Sequence, residues 1–209
     1  MIPRVRWFVL IVVLALAAVI ALWPRGGEVT PSGSPGPAPA AEPDLAPLRA
    51  KAQLAPCPQP GPTDSVVGQL SGVRVPCLGQ EGLTDLGSAL AAKATLINVW
   101  ATWCQPCRAE LPILAEYAAG EGAVPVLGLQ VRNDSRSAGL ELLAALNVKL
   151  PSVADADGAA QAALKVPPAL PASYLVRPDG EVRRITQPLL FTSVEQVRRA
   201  VADNLGGAR

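Results

Sequence analysis

Cys104 and Cys107 carry the clearest chemistry in this chain. Only Gln105 and Pro106 separate them, so both thiols fall within one turn if the segment is helical. Sulfurs at that spacing can close a disulfide and open it again. The first turn of a helix has backbone N–H groups without partners, and it presents the positive end of the helix dipole. A thiol held there has its thiolate stabilised, and its pKa falls below the reference of about 8.5. Cys104 stands outermost and takes most of that effect, so it is the expected nucleophile. Cys107 lies one turn further in and is the expected partner for the second step.

The proton that leaves Cys107 needs an acceptor, and composition narrows the choice. The 209 residues include no histidine. That excludes Ser-His-Asp and Cys-His catalysis, histidine-ligated metals, and haem held by a histidine of this chain. A carboxylate, a lysine, a tyrosine or water is left. Glu110, one turn past Cys107, is the candidate; the bland alternative is a solvated carboxylate in the second turn of a helix. A net charge of +1 offers no electrostatic case for nucleic acid. A zinc site built from the four cysteines would need two close pairs, and only Cys104 and Cys107 are close, so no metal and no cofactor is expected.

These thiols need a strand and a helix to position them. Residues 95–100 form a short apolar run rich in β-branched and aromatic types, which predicts a buried strand. Residues 108–119 place Leu111, Leu114 and Ala118 on one face, with Arg108 and Glu116 off it, which predicts a helix. Pro112 has no N–H to give and should kink it. Trp103 precedes Cys104 and is expected to cover the disulfide, or simply to be an interface aromatic.

Trp103-Cys104-Gln105-Pro106-Cys107, with Asn98-Val99-Trp100-Ala101-Thr102 before it and Glu110-Leu111-Pro112 after it, resembles the active site of thioredoxin-fold proteins. More narrowly, it is similar to the membrane-anchored TlpA/ResA-type thiol–disulfide oxidoreductases. Plain thioredoxins usually carry Asp where Asn98 stands, and Gly-Pro where Gln105-Pro106 stands; both departures, and Glu110, fit the TlpA/ResA branch. The resemblance covers roughly residues 66–205. It implies an α/β thioredoxin-like fold, a mixed central sheet flanked by helices, with the central insertion of that branch. It also implies a cis-proline facing the C-x-x-C pair. Pro171 matches that position, although the usual threonine after it is Ala172 here, and Pro167 and Pro168 allow a plain rigid loop instead. The backbone of Leu170 would then pair with an incoming peptide like an added strand.

The rest of the chain fits that outline. Residues 66–75 look like a hairpin and residues 83–92 like a short helix. Residues 124–131 predict a second strand, and Asp134 or Ser135 a cap for a helix running to 147. Residues 149–154 read as extended and 159–165 as a short helix; the stretch from 134 to 165 matches the insertion in place and length. A strand beginning at 174, a turn at Arg177-Pro178-Asp179-Gly180 and a return strand over 181–186 follow. Ser193 should cap a last helix over 194–205.

Residues 7–23 are a charge-free apolar run between Trp7 and Trp23, about 25 Å long as a helix. Its length and the lack of a small-x-small site after it favour an uncleaved anchor over a signal peptide. Arg4 and Arg6 should hold the amino terminus in the cytoplasm, with everything after Trp23 outside. Residues 24–62, rich in Pro, Ala, Gly and Ser, read as a semi-stiff spacer in which a short helical turn near residues 44–54 is possible. The domain is expected over residues 63–209. In an extracytoplasmic domain Cys57 and Cys77 are expected to pair as a structural disulfide; a second redox pair, or a resolving pair for Cys104, is the alternative.

The expected function is thiol–disulfide exchange with protein substrates at the outer face of the cell membrane. Cys104 and Cys107 form the redox-active pair, Glu110 handles the proton, and Trp103, Leu170 and Pro171 bind substrate. The resemblance implies a reductant of partners such as apocytochrome c, supplied by a CcdA-like transmembrane electron donor. An oxidant of secreted proteins and a non-catalytic binding module are the alternatives. Nothing before Cys104 matches the P-x-x-x-T-x-x-C pattern of a peroxidatic cysteine.

Overall fold

The computed structural model describes Trp7 and residues 44–61, 65–132 and 134–206. The chain divides into two units, 1–42 and 43–209. Apart from Trp7, the apolar run over 7–23 lies outside the described residues, as does the spacer up to 43. Among the described residues no helix is long and apolar enough to cross a membrane.

The second unit opens with helix α1, Ala46–Ala52, which has proline in its first turn. Strands β1, Arg74–Pro76, and β2, Leu83–Asp85, pair antiparallel in a small sheet of their own. Helix α2, Leu86–Ala89, leads into β3, Thr95–Trp100. Helix α3, Gln105–Ala118, and strand β4, Val126–Gln130, complete a β-α-β unit. Helix α4, Arg136–Ala145, strand β5, Ser152–Ala154, and helix α5, Ala159–Leu164, fill the chain before β6, Ala172–Val176. Strand β7, Val182–Ile185, and helix α6, Val194–Gly206, end the fold. The large sheet has the order β5-β4-β3-β6-β7, with β3, β4 and β5 parallel and β6 and β7 antiparallel. This is the mixed thioredoxin-like α/β sheet that the resemblance implied.

The period of two along β3 divides the core. Leu96 and Trp100 pack on the face covered by α1, α3, α4 and α6. Ile97 and Val99 pack on the other, beneath β1, α2 and α5. Asn98 shares the first face and is fully buried there, a polar side chain under the active-site helix.

Three expectations need correction. The helix over 83–92 begins only at Leu86, because the Asp85 carboxylate accepts the Ser88 N–H at 3.0 Å and caps it; the residues before it are strand. The hairpin over 66–75 is instead a 3-10 turn, Gly68–Leu70, followed by β1, and β1 finds its partner in residues 83–85. Gly82, at φ +103, bends the chain between the two strands, a conformation that suits only glycine. The spacer also ends earlier than 62. Leu45, Ala52 and Cys57 are buried, α1 packs on α4, and the Ala55 N–H donates to the Lys149 carbonyl at 2.8 Å. The prolines do not prevent this, since those flanking α1 lie in its first turn or beyond its end, where no helical N–H is required.

Candidate active site

Helix α3 starts where the thiol chemistry needs it. Cys104 is its N-cap, with extended backbone (φ −81°, ψ 98°), and its Sγ accepts the Cys107 N–H at 3.2 Å. That N–H is one of the unpaired donors of the first turn, and a thiolate would accept it more strongly than a neutral thiol. Cys104 and Cys107 are joined as a disulfide with Cα atoms 5.2 Å apart. Cys104 retains 4% exposure and Cys107 none, so an attacking group meets Cys104 first. Trp103 beside it is 61% exposed, and α3 continues through Pro112 to Ala118.

Cys107, Glu110, Leu111 and Leu114 form the buried stripe of α3, at the i, i+3, i+4 and i+7 spacing of a helix packed against a sheet. Glu110 therefore points inward and is 1% exposed. Its Oε2 accepts from Asn98 Nδ2 at 2.7 Å, and its Oε1 accepts the Phe191 N–H at 2.7 Å. Asn98 Nδ2 also donates to Ser173 Oγ at 3.2 Å, which ties β3 to β6. Burial pushes the Glu110 carboxyl up from 4.5 to about 6, against the downward pull of the two hydrogen bonds. The group therefore exchanges its proton close to neutrality, and it lies one turn along the same face from the Cys107 sulfur.

Strand register brings the other side of the site into place. Val99 pairs with Ala172, so the residue before Ala172, Pro171, reaches the level of Trp100 where β3 gives way to the Cys104 loop. The Leu170–Pro171 peptide is cis. Leu170 and Pro171 are both half-buried, at the lip rather than in the core. A second cis bond, Gln187–Pro188, lies in the loop that delivers the Phe191 N–H to Glu110.

All four cysteines are paired. Cys57 and Cys77 are joined with Cα atoms 6.1 Å apart, and both are buried. Cys77 also bridges to Val153 in β5, at the sheet edge away from β6.

Sequence reasoning gave Asn98, Ser173 and the Phe191 backbone no role. Asn98 stood in the quoted motif, and its place two residues from both Leu96 and Trp100 signals the buried face of β3. The stripe through Cys107, Leu111 and Leu114 likewise contained Glu110. The Phe191 contact has no local signal, because a long stretch of chain separates it from α3.

Comparison with known proteins agrees with this geometry. A family model described as the AhpC/TSA family matches residues 78–185. The thiol-disulfide oxidoreductase ResA of Bacillus subtilis is 32% identical over 110 residues, which covers 51% of this chain and 60% of ResA. The thiol:disulfide interchange protein DsbE of Pseudomonas aeruginosa is 38% identical over 94 residues, 45% of this chain and 51% of DsbE. This chain thus spans less than two thirds of either relative. The crystal structure of a secreted Mycobacterium tuberculosis disulfide oxidoreductase, homologous to E. coli DsbE, superposes with a TM-score of 0.56 at 28% identity, covering 64% of this chain and 96% of that one.

Proposed function

The chain belongs to the AhpC/TSA family, and from that footing we propose that it exchanges disulfides with protein substrates through Cys104 and Cys107, as an extracytoplasmic reductant. The observation that carries the reading is the dithiol pair at the α3 N-terminus with a buried carboxyl of pKa about 6 one turn behind it. In the reduced form the Cys104 thiolate attacks one sulfur of a substrate disulfide. The substrate's other sulfur leaves as a thiolate and takes a proton, and a mixed disulfide remains on Cys104. Glu110 accepts the Cys107 proton, directly or through one water. The Cys107 thiolate then attacks Cys104 Sγ, and the second substrate thiol departs. Two electrons pass to the substrate, and the pair is left oxidised. Trp103 and the Leu170–Pro171 backbone hold the substrate segment beside Cys104, the latter by strand addition.

The likeness to ResA and to DsbE supports thiol–disulfide exchange; the resemblance to the TlpA/ResA branch implies its direction, reduction, with apocytochrome c as a substrate and a CcdA-like membrane protein as the electron donor. Cys57–Cys77 takes a structural role in this scheme, because both sulfurs are buried and closing a loop of sequence separation 20 contributes about 3 kcal/mol in the chain-entropy model. A redox titration read by mass tests both assignments. Cys104–Cys107 should open near the thioredoxin value of about −270 mV, with Cys57–Cys77 still closed there, as buried structural bridges are. A midpoint near −120 mV would make the protein an oxidant. Opening of Cys57–Cys77 together with the active-site pair would make it a second redox couple.

The proposed location is the cell membrane. The apolar run over 7–23 would be a single uncleaved span, the amino terminus cytoplasmic and the domain outside. Carbonate-washed membranes should retain the full-length chain, with Cys104 open to protease and alkylating reagent from the outer side. A soluble form that begins after residue 23 would overturn the anchor.

A further inference from the structure

We infer that Arg132 and Asp134, in the loop after β4, are positioning residues that hold the two walls of the substrate groove at a fixed separation. The inference rests on the exchange reading above but adds residues outside the thiol and proton chemistry.

The loop begins as an extension of the sheet. The Val131 N–H, one residue past the end of β4, donates to the carbonyl of Trp100, the last residue of β3, at 3.0 Å. Arg132 then turns to φ +68°, a left-handed conformation that costs a residue with a Cβ about 1 kcal/mol. Such a conformation persists where surrounding contacts over-determine it. The contact here is specific: Arg132 Nη2 donates to the Pro167 carbonyl at 2.6 Å, and its Nε is buried without a partner. Asp134 reaches the other way. One of its carboxylate oxygens accepts from Thr102 Oγ1 at 2.8 Å, and the other accepts the Thr102 N–H.

Each bond ends on a segment that the exchange reading sets against the substrate. Thr102 adjoins Trp103, so Asp134 fixes the backbone that presents that side chain, while Cys104 is held separately as the cap of α3 and by its own N–H to the Ala101 carbonyl. Pro167 begins the stretch Pro167-Pro168-Ala169-Leu170-Pro171. Proline locks φ at Pro167, Pro168 and Pro171, so the segment is stiff and a clasp on the Pro167 carbonyl carries through to the Leu170–Pro171 peptide. A carboxylate accepting an N–H and a guanidinium donating to a carbonyl are charge-assisted bonds, stronger than neutral ones. An extended peptide must touch both walls at once. A small disulfide needs only the Cys104 sulfur.

The test separates those two demands. Asp134→Ala removes the clasp on Thr102. Arg132→Asn removes the clasp on Pro167 while keeping a residue that tolerates positive φ. Arg132→Lys keeps a donor. Reduction of insulin, with dithiothreitol as the electron source, reports the groove; the reaction of the reduced protein with 5,5′-dithiobis(2-nitrobenzoate) reports the thiol alone. Arg132→Asn should raise KM for insulin about five- to tenfold, the scale of one lost hydrogen bond, and Asp134→Ala, which loses two, by at least as much. Both should leave the small-disulfide rate within about twofold, and Arg132→Lys should recover most of the insulin KM. Amide hydrogen exchange should quicken at residues 101–103 in Asp134→Ala and at 169–170 in Arg132→Asn. Parallel loss on both substrates, unchanged KM, or unchanged exchange at those amides would each overturn the inference. A wild type that reduces neither substrate would sink the exchange chemistry itself, and hydrogen exchange would still decide whether the clasp exists.

Discussion

A Cys107→Ala variant is expected to accumulate a mixed disulfide with a protein substrate through Cys104, while Cys104→Ala accumulates almost none. The asymmetry follows from where α3 begins. Cys104 caps the helix and accepts the Cys107 N–H, so its sulfur carries negative charge at the smaller free-energy cost. Each pKa unit by which its thiolate is favoured is worth about 1.36 kcal/mol, a factor of ten in thiolate population while the thiol dominates. Cys107 has no exposed surface, and a substrate disulfide cannot reach it without displacing Cys104. Non-reducing gels of the reduced variants mixed with insulin would show the adduct. Trapping by Cys107→Ala should far exceed that by Cys104→Ala, because Cys107 has no exposed surface. Equal trapping by the two variants would mean that the helix start does not choose the nucleophile.

Removing the buried carboxyl should change rate and stability in different pH ranges. The folded pKa of Glu110 is about 6 against an ordinary 4.5, so the native state binds its proton more tightly than the unfolded chain does. Its favourable contribution is complete below 4.5 and is lost as pH rises through 6. Above that, an ionised carboxylate sits inside the protein at a cost of about 2 kcal/mol. Glu110→Gln should therefore gain up to about 2 kcal/mol of stability at pH 7.5 and nothing at pH 4. The fit is tolerable because Asn98 Oδ1 is buried without a partner, and turning that amide offers an acceptor to the new NH2 group. Catalysis should move oppositely. The wild-type attack of Cys107 on the mixed disulfide should slow as pH falls through 6, where Glu110 becomes protonated and ceases to accept. Glu110→Gln should lose that inflection and slow the step on the order of 10²-fold at neutrality, the scale of general-base catalysis. The first attack by Cys104 should change far less. Stopped-flow alkylation and urea melts across pH would read both. An unchanged pH profile would leave the proton to water.

How much of this was legible in the sequence depended on range. β3 and α3 were visible because each carries its own period, and the cysteines sit where one period hands over to the other. Ser135, expected as a cap, accepts the Ala138 N–H at 3.1 Å, a signal contained within one turn. The short strands β1 and β2 were misread, since runs of three residues hold too little periodicity to identify. The setting of Glu110 was half-legible. Its place on the helical stripe was in the sequence, but the amide from β3 and the backbone N–H of Phe191 arrive only with the tertiary fold. Arg132 and Asp134 had no local signal for their clasps, because their partners lie on other loops.

The bridge between Cys57 and Cys77 has a mechanical consequence. Traction applied to the chain ahead of α1 would first peel α1 from α4, since only noncovalent contacts hold it there. Peeling stops at the Cys57 sulfur. Beyond that point the force leaves the N-terminal segment through a covalent bond and enters beside β5, at one edge of the sheet. The Cys104 loop and the Pro171 loop open between β3 and β6, with β4 between them and that edge. Tension thus enters the domain at that edge rather than at the strand that leads to the reacting sulfurs.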